Sequence, residues 1–150
     1  MTNPIPPGFH TVTPCLMIKD AASTIEFYEK AFGASVMLRI AKPDGTIMHA
    51  EIKIGDSMLM LANDTSDEQL RSPISMFLYV EDVDAFANRA VAAGATWAEP
   101  LKFHDDDGDR RGGLADPYGF TWWIASHVKA TSRAEMQQRF DDAMKQQKAK

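Results

Sequence analysis

A single cysteine, Cys15, stands among 150 residues, which excludes an internal disulfide framework and any zinc site built from several thiolates. It is expected to be a buried free thiol. With no evident base or cation beside it, its thiolate fraction is small, and nucleophilic chemistry is not assigned to it. Cationic excess is also missing. Sixteen Lys and Arg face twenty-one Asp and Glu, a net charge of −5, so no nucleic-acid or anionic-membrane partner is expected. No apolar run approaches the ~18 residues a membrane span needs. The first eight residues hold three prolines and nothing resembling the basic and apolar blocks of a secretion signal, so a cytoplasmic location is expected.

What is present is ordinary for a globular chain: 45% hydrophobic and 25% charged residues, enough to bury roughly 70% of the unfolded surface around one or two small modules. After an extended arm over residues 1–10, the segment from Thr11 to Ile18 alternates around branched residues and reads as a strand. Asp20 caps a helix carrying Ala21, Ile25, Tyr28 and Phe32 on one face, and Gly33 ends it in the left-handed region. Strands are predicted over Ser35–Ala41, Thr46–Ile54 and Ser57–Ala62, with turns at Pro43-Asp44-Gly45 and Gly55-Asp56. The order is βαβββ.

The same grammar then returns. Met17-Ile18-Lys19-Asp20 is echoed by Tyr79-Val80-Glu81-Asp82, and Gly33-Ala34 by Gly94-Ala95, an offset of about 61 to 62 residues. Between the echoes lies a helix with Val83, Phe86, Ala87, Ala90 and Val91 directed inward, and strands follow near Trp97–Leu101, Arg110–Ala115 and Phe120–Ser126. The boundaries are therefore a first module over 11–62, a polar linker over 63–72, a second module over 73–128 and an amphipathic C-terminal helix over 129–150. That last helix opens on the capping box Ser132-Arg133-Ala134-Glu135 and carries Met136, Phe140 and Met144 toward the body or a partner subunit. Asp116-Pro117-Tyr118-Gly119 has type I turn chemistry and sets the register of the final strand.

Two βαβββ copies, an Asp-capped helix containing Glu26-Phe27-Tyr28 and ending Ala31-Phe32-Gly33-Ala34, and the Asp-Pro-Tyr-Gly turn together resemble the vicinal oxygen chelate superfamily of glyoxalase I, extradiol dioxygenases, fosfomycin-resistance enzymes and bleomycin-binding proteins. Met48-His49-Ala50-Glu51, Gly108-Asp109-Arg110-Arg111-Gly112-Gly113 and Trp122-Trp123-Ile124-Ala125-Ser126-His127 are similar to its PhnB-like members. The resemblance covers about residues 11 to 128. It implies an α+β fold in which two modules form a cup-shaped mixed sheet, with helices on the convex face. Strand alternation then assigns faces. Val12, Leu16, Ile18, Ile52, Ile54, Leu59, Leu61, Met76, Leu78, Val80, Trp122 and Ile124 are expected under the helices. Thr13, Cys15, His49, Glu51, Met58, Met60, Ser75, Phe77, Tyr79, Thr121, Trp123 and Ala125 are expected to line the cup.

Metal-dependent members place His, Gln or Glu at one cup position on each of four strands. By that resemblance the positions here are Thr13, Met60, Ser75 and Trp123, and hydroxyls, a thioether and an indole are poor ligands for a catalytic divalent ion. No metal or other cofactor is therefore expected. The leading expectation is a protein that binds a small hydrophobic or aromatic molecule on Trp123, Phe77 or Tyr79, with His49, Glu51 and Arg111 orienting polar groups and the remaining cup residues above completing the site. His49 and Glu51 form a period-two pair suited to acid/base work, or simply an exposed polar strand face with Lys53 neutralising Glu51. Two alternatives stay open. One is a glyoxalase-like lyase, isomerase or dioxygenase with a divalent metal on noncanonical ligands including His49 and Glu51. The other is a structural or regulatory dimer with a filled cup. A homodimer is expected in either case. His104 with Asp105, Asp106 and Asp107 has a metal-like composition but reads as a solvated turn. Arg110 and Arg111 either hold an anionic group or pair with neighbouring aspartates, and His10 and His127 are expected at the rim.

Overall fold

A computed structural model describes residues 7–10, 13–65 and 75–148. Its elements are β1 (Cys15–Ile18), α1 (Ala21–Phe32), β2 (Ser35–Ala41), β3 (Ile47–Ile54), β4 (Ser57–Asn63), β5 (Met76–Tyr79), α2 (Val83–Ala93), β6 (Thr96–His104), β7 (Asp109–Ala115), β8 (Thr121–His127) and α3 (Arg133–Lys148). Two four-stranded mixed sheets result, ordered β1-β4-β3-β2 and β5-β8-β7-β6. In each, the first strand pairs parallel with the last and the remaining pairs are antiparallel. The βαβββ duplication is thus realised. No helix among the described residues is long and apolar enough to cross a membrane.

The two helices start where the sequence places them. The Asp20 carboxylate accepts from Ser23 N at 3.1 Å and that of Asp82 from Ala85 N at 2.9 Å, which satisfies N–H groups that have no partner within the helix. Hydrogen bonding to Ser23 lowers the Asp20 carboxyl below its ordinary value. Ser132 and Glu135 cap α3 reciprocally: Ser132 N donates to Glu135 Oε2 at 2.8 Å and Glu135 N to Ser132 Oγ at 3.2 Å. Arg139 of α3 lies 3.7 Å from Asp105.

Helix α1 packs on both modules. Its Phe32 ring stacks on Phe86 of α2 with centroids 5.7 Å apart and meets Trp122 of β8 at 4.8 Å, while Tyr28 meets Trp122 edge-on at 5.2 Å. Such ring pairs add about 0.5–1.5 kcal/mol each beyond area burial. Arg89 of α2 completes the seam by donating to the Ala31 carbonyl at 3.0 Å from a position over the Phe86 ring. Leu16, Ile18, Ile52, Ile54, Leu59, Leu61, Trp122 and Ile124 are buried in the core and Met76, Leu78 and Val80 pack against it, the faces alternation assigns. Val12 lies outside the described residues, as do the start of the arm and most of the linker.

Three expectations need correction. Val91 is exposed, because the buried stripe of α2 narrows to Val83, Phe86, Ala87 and Ala90. Ala125, expected in the lining, is fully buried, a small side chain on a central strand between β5 and β7. The first strand begins at Cys15 rather than Thr11 among the described residues, since Pro14 lacks the N–H a ladder needs. A register shift between Ile40 and Ala41 also turns Ile47 inward to 1% exposure, and Ile47 N is held by Asn63 Oδ1 at 2.8 Å.

Candidate functional site

The sheet faces opposite the helices remain open. On the first sheet Cys15 pairs with Met60 and Met60 with Glu51, which stands against Leu38, so these residues form one row across four strands. Cys15, expected to be buried, is an exposed free thiol because it lies on the open face of an edge strand; Leu38 and Met17 are exposed as well, and Met60 is half-buried. His49 Nε2 lies 3.1 Å from Glu51 Oε1, so the pair satisfies itself along the strand. On the second sheet Phe77 pairs with Trp123 and Trp123 with Gly113. Phe77 and Tyr79 are exposed, Trp123 and Thr121 are half-buried, and the Phe77 and Tyr79 rings lie 5.1 Å apart at 33°.

A cavity of about 420 Å³ opens where the two sheets present the starts of β1, β4, β5 and β8. Met58, Leu59, Met76, Phe77, Leu78 and Trp122 form its apolar wall, and His10, Pro14, Asp56 and Ser57 complete the lining. It draws on both sheet faces: Leu59, Leu78 and Trp122 belong to the helix side, Met58 and Phe77 to the other. Of the residues expected to bind a ligand, Met58 and Phe77 line it. Thr13, Cys15, His49, Glu51, Met60, Ser75, Tyr79, Arg111, Thr121 and Trp123 are outside the lining.

The four positions where the resemblance implies a metal do not suit one. The Thr13 hydroxyl donates to the His10 carbonyl at 3.1 Å, Ser75 is exposed, and Met60 and Trp123 offer a thioether and an indole. Among the described residues no three His, Cys, Asp or Glu are gathered where they could hold a metal ion.

A second constellation lies at the far end of the open face. Asp109, 2% exposed, accepts from the Tyr79 hydroxyl on Oδ2 at 2.9 Å and meets His127 Nδ1 with Oδ1 at 2.8 Å. Burial first, then the bond to Asp109, raises the Tyr79 phenol above its ordinary value, which keeps it a donor. Arg111, on the same face of β7, is paired with Asp107 and lies 3.9 Å from Asp106, while Arg110 crosses to the helix side and chelates Asp84 of α2 at 2.7 and 2.6 Å. Hydrogen bonding to that guanidinium lowers the Asp84 carboxyl. The sequence places His127 at the rim without indicating its partner. Period-two alternation, which puts Asp109 and Arg111 on one face of β7 and Ala125 and His127 on one face of β8, is the signal that bears on the pair.

Known proteins share this frame. A family model described as the Glyoxalase/Bleomycin resistance protein/Dioxygenase superfamily matches residues 8–124. An uncharacterised Mycobacterium bovis protein is 37% identical over 84% of this chain and 89% of its own length, and a Mycobacterium tuberculosis counterpart is 37% identical over 84% and 79%. Among solved structures, TioX from Micromonospora sp. ML1 superposes with a TM-score of 0.62 at 23% identity over 78% of this chain and 99% of its own. The PhnB protein from Bacillus cereus gives 0.64 at 18% over 78% and 99%. A mutant of the fosfomycin resistance protein FosX from Listeria monocytogenes, complexed with Mn(II) and 1S,2S-dihydroxypropylphosphonic acid, gives 0.63 at 16% over 87% and 97%.

Proposed function

Because the chain belongs to the glyoxalase/bleomycin resistance/dioxygenase superfamily, we propose that it binds a small hydrophobic or aromatic molecule without a resident metal. The observation that carries this reading is the cavity of about 420 Å³ between the two modules, a size suited to a small ligand, with an apolar wall facing the polar groups of His10, Asp56 and Ser57. Methionine at 58 and 76 gives that wall adaptable, polarizable surface, and Phe77 supplies an aromatic face that continues onto Tyr79 and Trp123. Asp56, Ser57 and His10 are then the polar groups nearest the ligand, in place of His49 and Glu51, which bond each other. The poor donor set at Thr13, Met60, Ser75 and Trp123 supports metal independence.

Thermal melting tests both halves. Saturation with naphthalene or indole at a hundred times Kd stabilises by about 2.7 kcal/mol, a rise of roughly 5–10 °C for a chain of this size, and Phe77→Ala weakens binding about tenfold by removing about 1.4 kcal/mol of contact. Zn, Mn, Ni and Fe leave the melting point unchanged. No shift with any aromatic compound, or a full shift with a metal, would overturn the reading.

We also propose a homodimer. Met17 on one edge strand and Leu38 and Ile40 on the other are 45%, 40% and 50% exposed on the open face of the first sheet, large apolar side chains that a second copy laid on that face would cover. Light scattering should give twice the chain mass, and Ile40→Glu should yield the single chain. A wild-type protein that is monomeric at high micromolar concentration counts against the assembly.

A further inference from the structure

The Asp109 carboxylate has its two oxygens divided between two partners, the Tyr79 hydroxyl on one and the His127 ring on the other. An ionised carboxylate only accepts, so His127 must donate from Nδ1, and its neutral ring then carries a bare lone pair on Nε2. Asp109 is buried while half of the His127 side chain is open to solvent. The arrangement is that of a base held in one tautomer by a buried carboxylate, on a side chain that is half open to solvent.

The surroundings indicate what it acts on. Tyr79 is 65% exposed and Phe77 48%, and their rings form a two-ring platform that runs from the cavity wall to Asp109. Because the Tyr79 hydroxyl and the His127 ring share one carboxylate, the Tyr79 end of the platform lies beside His127. We propose that His127 is a proton acceptor for a phenol-class ligand, an aromatic ring bearing an acidic hydroxyl, seated on Phe77 and Tyr79. This rests on the small-molecule reading above and adds to it the ligand's class and its ionisation. In the step, the ligand's O–H bond breaks and its electron pair stays on oxygen. The proton forms an N–H bond at Nε2, giving phenolate and imidazolium, and the Asp109 carboxylate stabilises the new positive charge. No oxidant or co-reactant is needed. The charged groups around His127 are Asp109 and Arg111 on β7, His104 opposite Asp109 on β6, Tyr79 on β5, and Asp105, Asp106, Asp107 and Lys129 at the adjoining turn. Arg111 is neutralised by Asp107, and Lys129 by Asp105 at 2.6 Å, which leaves two imidazoles as proton acceptors at this end of the face, His127 held by Asp109 and His104 at 4.0 Å from Asp106.

The test uses 4-nitrophenol with the full chain, measuring occupancy by equilibrium dialysis and ionisation by the visible absorbance of nitrophenolate. The bound ligand's apparent pKa should fall by about one unit, the size expected from a new opposite charge alongside. His127→Gln should bind the compound but abolish the shift, and Asp109→Asn should reduce it. In the free protein, nitrogen-15 spectra should show neutral His127 protonated at Nδ1. A proton on Nε2, an unshifted bound ligand, an undiminished shift in His127→Gln, or no binding of nitrophenol each overturns the proposal. Binding without ionisation leaves the cavity reading standing. Absence of binding together with no stabilisation by naphthalene or indole removes both.

Discussion

Asp116→Ala should lower the melting temperature by roughly 10–15 °C, corresponding to about 3–5 kcal/mol for a chain of this length. Asp116 is 7% exposed and its carboxylate is the acceptor for four donors. Oδ1 takes the backbone N–H groups of Tyr118 and Phe120 at 2.9 and 3.0 Å, and Oδ2 takes the Tyr28 hydroxyl at 2.7 Å and the Trp122 indole N–H at 2.9 Å. One side chain thus closes its own turn, fixes the first residues of β8 and ties the second module to α1. Burial, then the neighbouring carboxylate, raises the Tyr28 phenol far above its ordinary range, which keeps the hydroxyl a donor. Alanine leaves buried donors without an acceptor, each costing about 1–3 kcal/mol. Graded variants separate this from simple loss of packing. Tyr28→Phe removes one donor together with its need and should cost about 1 kcal/mol. Asp116→Asn keeps one oxygen but turns an amide NH₂ toward the Trp122 N–H, and should fall between the two. Should Asp116→Ala prove no worse than Tyr28→Phe, the carboxylate is not the hub of this network.

That hub shows where sequence reasoning stops. Pro117 and Gly119 announce a turn after Asp116, and a short-range rule reads them. Tyr28 is 88 residues away, and no periodicity links it to Asp116. The elements that local chemistry decides were legible: α1 runs from Ala21 to Phe32 because Asp20 caps it and Gly33 ends it, and alternation puts Leu16, Ile52, Leu61, Trp122 and Ile124 inward on strands with one covered face. The candidate site was legible only in part. Alternation assigns residues to faces, whereas the cavity lies at the ends of strands and draws on both faces, so Met58 and Phe77 appear in its wall beside Leu59, Leu78 and Trp122. The His127 and Asp109 pair joins residues 18 apart across two strands whose register is visible only when they pair. Ile47 escaped for a related reason, since the register shift that turns it inward belongs to the β2–β3 ladder and not to its own sequence.

Gly108→Ala should destabilise by about 2–4 kcal/mol, roughly 10 °C in melting temperature, and should disturb His127 as well. Gly108 has φ +82°, where a side chain costs about 1 kcal/mol of backbone strain. Space is the larger problem. A methyl group here meets the Lys129 carbonyl oxygen head-on and comes within 2.9 Å of Thr131 Oγ1. The segment after β8 must then move away, yet it is held by Gly108 itself, whose carbonyl accepts from Val128 N and Lys129 N at 3.0 Å each. Those bonds anchor the residues directly following His127, and Gly108 directly precedes Asp109, so the displacement acts on both members of the pair. Gly45→Ala is the matched control. Gly45 has φ +90° and nothing within 4 Å of the position a methyl would take, so its variant reports the backbone strain alone. The difference in unfolding free energy between the two variants isolates the collision. The His127 nitrogen-15 signals should change in Gly108→Ala and stay unchanged in Gly45→Ala. Equal stabilities in the two variants, or an unaltered His127 in both, would show that the turn tolerates the methyl group and that it does not position the imidazole.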